Sequence, residues 1–280
     1  MNKKISFIAL VAIVLGLGFA SCNSNMVTDI DISDAKITLL IGGTDSIAAE
    51  AKYTGDIVPA LVWSSSNPEV VSVKDGTIKA LKKGVATISV KAGTKTATCE
   101  VTVTDEVVTT FTKGEMWYFG DAYGTEKSNN FLVLIATSGI DLNNFSGDGE
   151  ILQLEFNSSL SNTTGIDNGT YKFVDLEIEK FDVKTLVPGF VDDYDESWGG
   201  WYFGAIESDL VSGEVTVTKK TNNVYELVYE ITDGYGNKIA GIYNAALTYV
   251  DATQQGDAVQ AEKANKMKKA LNRKVNTRLF

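Results

Sequence analysis

The feature that most constrains the fold is the alternation of apolar and polar residues between regularly spaced turns. Between residues 96 and 104, one alanine, one cysteine and two valines alternate with threonines and a glutamate. Side chains of a strand point alternately to its two faces, so this stretch predicts a half-buried strand with Cys99 in the core. The dipeptides Asn67-Pro68, Asp75-Gly76 and Lys83-Gly84 interrupt the chain about every eight residues, the spacing of a β-sandwich.

Three segments of this first region carry a family resemblance. They are IGGT at 41–44, VWSSSNPEV at 62–70 and GTIKALKKGVATI at 76–88. They resemble the group 2 bacterial immunoglobulin-like domain, over residues 27–104. The resemblance implies that Trp63 packs in the core of a sandwich. It also implies a spacer or adhesive module, as in surface proteins of the invasin and intimin class, and no catalysis.

A second β-rich region covers residues 115–250, after a polar linker at 105–114. Asp233-Gly234 followed by Gly236-Asn237 predicts a hairpin loop between two alternating segments. Landmarks near Tyr123, at 169–171 and at 241–243 are similar to β-rich domains of Gram-negative surface lipoproteins. We therefore predict an all-β chain, with an immunoglobulin-like sandwich, a second antiparallel sandwich or barrel, and a short basic helix in the tail 251–280. The strands expected in this region are 131–136, 151–156, 171–178, 214–218, 225–231 and 239–249.

The N-terminus has the pattern of a lipoprotein signal. Two lysines precede an apolar run at 5–20, and small residues lead to Cys22. The run is shorter than the roughly 20 residues of a spanning helix. We expect removal of 1–21, acylation of Cys22 and a tether at 22–26, because buried acyl chains contribute about 0.8 kcal/mol per methylene. Position 23 is asparagine and not the aspartate that retains many lipoproteins at the inner membrane. We therefore expect the protein to be delivered to the outer membrane, on its surface or its periplasmic face.

Composition excludes several kinds of site. The chain has no histidine, the commonest general base and zinc ligand. If Cys22 is acylated, Cys99 has no partner for a disulfide. The net charge of −11 divides into +6 for residues 258–280 and −17 for the rest, so nucleic acid is not an expected partner. We expect no cofactor and no bound metal.

The stretch 192–202 combines acidic residues, glycines and aromatic rings. Aromatic faces cover the apolar faces of sugar rings while carboxylates accept hydrogen bonds from their hydroxyls. We therefore assign a candidate glycan surface to Trp198, Trp201 and Tyr202 beside Asp193 and Asp195, the alternative being that some of these rings are core. For the acids, the alternatives are a solvated loop tip and a calcium site.

Three further patterns admit two interpretations each. Asp175 and Glu177 could be an acid/base pair or, by their alternation with apolar residues, solvent-facing strand positions. Asp45-Ser46-Ile47 resembles a bacterial O-glycosylation site, which makes Ser46 a candidate acceptor. The tetrapeptide WYFG occurs at 117–120 and at 201–204, either by internal duplication or by coincidence.

Taken together, these patterns predict a non-enzymatic binding or adhesion protein of the envelope. The partners expected are the membrane, through the N-terminal lipid, and a glycan or another surface protein. Two alternatives stay open at this point: a glycan-processing accessory or carboxylate-dependent glycoside hydrolase, and a structural assembly subunit. Two carboxylates about 5 to 9 Å apart in a cleft would favour hydrolysis, and a long unpaired edge strand would favour assembly.

Overall fold

The computed structural model describes residues 25–175, 181–191 and 197–253, and every regular element among them is a β-strand. An all-β chain was predicted, and the described residues confirm it. None of them forms a helix long and apolar enough to cross a membrane. The signal segment, Cys22 and the expected C-terminal helix beyond residue 253 lie outside the described residues.

Nine strands form the first domain. They are β1 (Met26–Ile32), β2 (Lys36–Leu40), β3 (Thr44–Ser46), β4 (Ala49–Thr54), β5 (Val62–Ser65), β6 (Val71–Lys74), β7 (Thr77–Ala80), β8 (Gly84–Ala92) and β9 (Lys95–Thr104). One sheet has the order β2-β9-β8-β5, another has β3-β7-β6, and β1 pairs with β4. Asp75 and Gly76 both have positive φ between β6 and β7, as a tight hairpin turn that follows strand twist requires.

The core of this sandwich contains the residues that alternation assigned to it. Cys99 is fully buried with Ile78, Ile88 and Val101, and burial raises the pKa of its thiol. Trp63 is half-buried and packs against both apolar clusters of the domain. It is a bridging residue between two clusters.

Fifteen strands are described in the second domain. They are β10 (Glu106–Val107), β11 (Lys113–Gly120), β12 (Asn129–Ala136), β13 (Ile140–Asp141), β14 (Ser146–Gly147), β15 (Ile151–Ser158), β16 (Gly169–Phe173), β17 (Thr185–Leu186), β18 (Phe190–Val191), β19 (Ser197–Trp198), β20 (Trp201–Phe203), β21 (Glu207–Lys219), β22 (Val224–Asp233), β23 (Lys238–Ala246) and β24 (Thr248–Asp251). One sheet has the order β10-β23-β22-β21-β16-β17-β15-β12-β11-β24, and β20 pairs with both β15 and β21. The small pairs β13-β14 and β18-β19 lie outside it.

The large sheet curls into a barrel-like layer because the consecutive strands β23 and β24 lie at opposite ends of its strand order. β23 pairs with β22, and β24, one residue later, pairs with β11. The sheet thus encloses a single apolar interior with five fully buried tyrosines, which settles the sandwich-or-barrel alternative in favour of a barrel-like sheet. These tyrosines are Tyr171, Tyr202, Tyr225, Tyr229 and Tyr243.

The segment expected to be a polar linker is part of the second domain. Val107 and Phe111 are buried in the barrel-like interior, and β10 pairs with β23. The Asp105 carbonyl accepts a hydrogen bond from the Lys238 amide at 2.6 Å. Leu40, at the end of β2, belongs to the same apolar cluster as Ile206. The two domains therefore share buried apolar surface.

Candidate functional site

The central strands β12 and β15 are buried on both faces. One face points into the barrel-like interior, and the other packs in a second apolar cluster with Ile140 and Phe145, from the connection between β12 and β15, and with Trp201 of β20. On this covered face lie buried polar side chains, Asn130 of β12 and Gln153, Glu155 and Asn157 of β15. Buried polar groups need partners. The site is built from the partners that these side chains find.

Glu155 is at the centre of the polar group. Its carboxyl accepts hydrogen bonds from Asn130 Nδ2 at 2.9 Å and from the Gly199 amide at 2.9 Å. The Tyr123 hydroxyl also bonds to it, and the Tyr123 ring stacks on Phe181 with centroids 3.8 Å apart. One carboxyl therefore joins a strand to loops more than 25 residues away on either side.

Burial determines the electrostatics of this carboxyl. Desolvation raises the pKa of Glu155, although the hydrogen bonds from Tyr123, Asn130 and Gly199 act in the opposite direction. Desolvation and the neighbouring carboxyl also raise the pKa of the Tyr123 hydroxyl, which stays protonated and can donate. Every hydrogen-bond partner that the structure gives Glu155 is neutral. The group is built to hold loops together.

Gly199 is fixed by the same network. Its carbonyl accepts a hydrogen bond from Gln153 Nε2 at 2.8 Å, while its amide donates to Glu155. Its φ is +75°, and a Cβ there would collide with the Pro188 carbonyl. Both requirements favour glycine at this position. The polypeptide directly after Trp198 is therefore held rigidly against the covered face.

The hairpin β18-β19 presents an aromatic pair in front of this network. Phe190 is directly opposite Trp198 in the antiparallel register, and both are half-buried. Side chains in such a pair have Cβ atoms about 5 Å apart on one face. Asp193 and Asp195 belong to the five residues that connect the two strands and lie outside the described residues. Sequence analysis missed Phe190, since only the strand register brings it beside Trp198.

Trp201 and Tyr202 differ from the expectation of a ligand surface. Tyr202 has no exposed surface and faces the barrel-like interior, whereas Trp201 is 8% exposed and packs on the covered face. The reason is that β20 lies between β15 and β21 and is covered on both sides. Alternation therefore exposes neither ring, and of the three predicted rings Trp198 alone keeps a partly open surface.

The two WYFG segments have equivalent surroundings. β11, which carries Trp117, pairs with β12, and β20, which carries Trp201, pairs with β15. Both tryptophans belong to the apolar cluster of the covered face, whereas Tyr118 and Tyr202 contact the interior cluster. Internal duplication stays one of two alternatives for the repeat, the other being coincidence.

The other candidate residues are dispersed. Ser46 lies on β3 with a partly exposed side chain. Asp175 is exposed and follows the end of β16, while Glu177 lies outside the described residues. Within 25–175, 181–191 and 197–253, no three acidic, cysteine or histidine side chains are arranged to hold a metal ion.

Comparisons with known proteins agree with the immunoglobulin-like fold predicted for the first domain. Residues 26–103 match the family model of the bacterial Ig-like domain (group 2), which confirms the resemblance found at 27–104. The search of curated proteins found no match. A crystal structure of domains 4 and 5 of the S-layer protein SbsC is 20% identical over 28% of this chain and 53% of its own length, with a TM-score of 0.26. This chain thus matches about half of that structure. Domains 5-6 of SbsC are 10% identical over 81% of this chain and 99% of their own, with a TM-score of 0.27.

Proposed function

We propose that this chain is a lipid-anchored, non-enzymatic binding protein of the outer membrane whose second domain binds a glycan through Phe190 and Trp198. The immunoglobulin-like domain serves as the spacer between the anchor and the binding domain. The observation that carries the proposal is the cross-strand pair of partly exposed aromatic rings on the hairpin β18-β19.

The chemistry of this pair suits a sugar. Two partly exposed rings at directly opposed strand positions offer apolar surface of the kind that covers one face of a pyranose. Asp193 and Asp195, between the two strands in sequence, supply carboxylates for its hydroxyls. A partly apolar surface with a few polar groups is the usual composition of a ligand site.

Rigidity beneath the pair supports the same proposal. The Trp198 carbonyl accepts a hydrogen bond from Trp201 Nε1 at 2.7 Å, and the next residue, Gly199, is bonded at both its amide and its carbonyl. A surface that is ordered before binding loses less conformational entropy when a ligand arrives. The buried carboxyl of Glu155 thus has a positioning role for the proposed surface.

A glycan array with the mature protein tests the binding proposal. Trp198→Ala and Phe190→Ala should each abolish most binding, because aromatic anchors dominate such interfaces. Tyr53→Ala is the matched control, since Tyr53 is a partly exposed aromatic residue of the first domain. Near-UV circular dichroism checks that the folds are intact. Binding that survives both hairpin substitutions would refute this surface, and a wild-type protein that binds no glycan would refute the function.

Acylation of Cys22 is tested separately. The wild-type protein should incorporate an alkynyl fatty acid in growing cells, whereas Cys22→Ala should not. Cys99 is the natural control, because it is buried and should stay unlabelled. Absence of label from the wild-type protein would refute the anchor. Protease treatment of intact cells then distinguishes the surface from the periplasmic face.

A further inference from the structure

One end of the first domain carries a cluster of exposed apolar side chains. Met26 is 57% exposed, Ile57 68% and Val58 75%. They belong to the same end because Asn25 Oδ1 accepts a hydrogen bond from the Ile57 amide at 3.4 Å and Met26 pairs with Thr54. We call Met26, Ile57 and Val58 the apolar tip.

The apolar tip lies at the opposite end of the sandwich from the second domain. β9 starts at Lys95, in the hairpin that approaches Val27, and ends at Thr104, whose carbonyl bonds to the Ile41 amide at the domain junction. Ten residues of strand span roughly 33 Å. The tip therefore cannot be covered by the second domain of the same molecule.

The charges near the tip are mixed. Lys91 and Lys95 are exposed at the same end, in the hairpin formed by β8 and β9. Asp56 is exposed in the loop that carries the tip. Asp31 is paired with Lys52 at 2.7 Å. Exposed apolar side chains with lysines beside them are typical of surfaces that bind to the membrane interface.

We infer that the apolar tip inserts into the lipid surface to which the chain is anchored. The inference rests on the proposed acylation of Cys22. Asn25 follows Cys22 by three positions, so an extended tether reaches roughly 10 Å. Over this distance the acyl chains hold Ile57 and Val58 at the depth of the lipid headgroups. The sandwich then stands on the membrane with the second domain about one domain length away from it.

Site-specific fluorescence on the lipidated full-length protein tests the inference. Val58→Cys is labelled with an environment-sensitive dye, and the protein is reconstituted into vesicles of phosphatidylethanolamine and phosphatidylglycerol. Val85→Cys is the matched control, because Val85 is also an exposed valine of this domain but lies near the junction with the second domain. Cys99 is buried, so the dye reacts at the introduced position. Mass spectrometry records whether Cys22 is acylated.

The expected result is a blue shift of the dye at Val58→Cys, with quenching by brominated lipids, and neither effect at Val85→Cys. Acylated protein whose dye at Val58→Cys behaves like the dye at Val85→Cys would overturn the inference alone. Protein without acyl chains would overturn the anchor and the inference together. Quenching at both positions would also overturn it, since the domain would then lie flat on the membrane.

Discussion

The side-chain amide of Asn237 bonds to both backbone groups of Ile41, across a sequence separation of 196 residues. The Ile41 amide donates to Asn237 Oδ1 at 3.1 Å. The same amide also donates to the Thr104 carbonyl at 3.1 Å. Asn237 Nδ2 donates to the Ile41 carbonyl at 3.0 Å. Asp233 holds the amide in place, accepting from Nδ2 at 2.9 Å. The buried side-chain amide of Asn237, in the second domain, thus pairs with the backbone of the first domain as a peptide group of a neighbouring strand would.

Asn237→Ala should weaken the coupling between the domains. The Ile41 carbonyl and one oxygen of Asp233 lose their donor, and a buried group left without a partner costs about 1–3 kcal/mol. In scanning calorimetry we expect one cooperative transition for the wild-type protein, because the domains share buried contacts, and two transitions for Asn237→Ala. Asn244→Ala is the control, since Asn244 is exposed on β23, the strand that begins directly after Asn237. An unchanged transition in Asn237→Ala would show that the apolar contacts alone couple the domains.

Trp63→Ala should destabilise the first domain by about 3 kcal/mol, the low end of the range for removing a large aromatic side chain, because Trp63 is half-buried. The substitution empties the space between two apolar clusters. Gly76 borders this space, since a Cβ added there would lie 3.2 Å from the Trp63 ring, but glycine has no side chain that could fill it. The other three tryptophans lie in the second domain, so far-UV circular dichroism of chemical unfolding is the appropriate measurement. An unchanged midpoint would contradict the bridging role.

Asp167→Asn should remove an acid-sensitive contribution to stability. Burial alone would raise the pKa of Asp167, but hydrogen bonds from the Ser159 amide at 2.9 Å and Asn162 Nδ2 at 2.8 Å outweigh it and lower this pKa from 3.8 to about 2. A carboxyl whose pKa is lowered by folding stabilises the fold at pH values above its pKa in the unfolded chain. This stabilisation is lost as the pH falls from 3.8 to about 2. The variant should lack that part of the pH dependence in urea titrations. Parallel curves for both proteins would contradict this.

Glu155→Gln should have the opposite pH dependence. Desolvation raises the pKa of Glu155 above its ordinary 4.5, so its contribution to stability is fully present below pH 4.5 and is lost as the pH rises through the folded value. The unfolding free energy of Glu155→Gln should therefore rise relative to that of the wild-type protein as the pH rises from 4.5. Tryptophan fluorescence during urea unfolding measures it, with the exposed Glu230→Gln as control. A difference that is constant with pH would contradict burial of an ionising carboxyl.

Features set by neighbouring residues could be predicted from the sequence alone. The alternation around Cys99 placed it in the core, and the glycines between Asp233 and Asn237 gave the hairpin between β22 and β23. Both depend on local rules, namely the two-residue period of a strand and the preference of glycine for positive φ. The expected strand 171–178 shows the limit of such rules, because β16 ends at Phe173.

Features set by residues far apart in sequence were decided by the tertiary structure. Alternation assigns one face of a strand to solvent, yet Gln153, Glu155 and Tyr202 are all buried because remote segments cover the second faces of β15 and β20. The pairing of Phe190 with Trp198 likewise depends on a strand register that their separate positions do not specify. The sequence by itself determined the strands and turns, because these follow from local periodicity and backbone preference. The tertiary structure alone decided which polar and aromatic side chains are covered, because burial depends on what packs against a face.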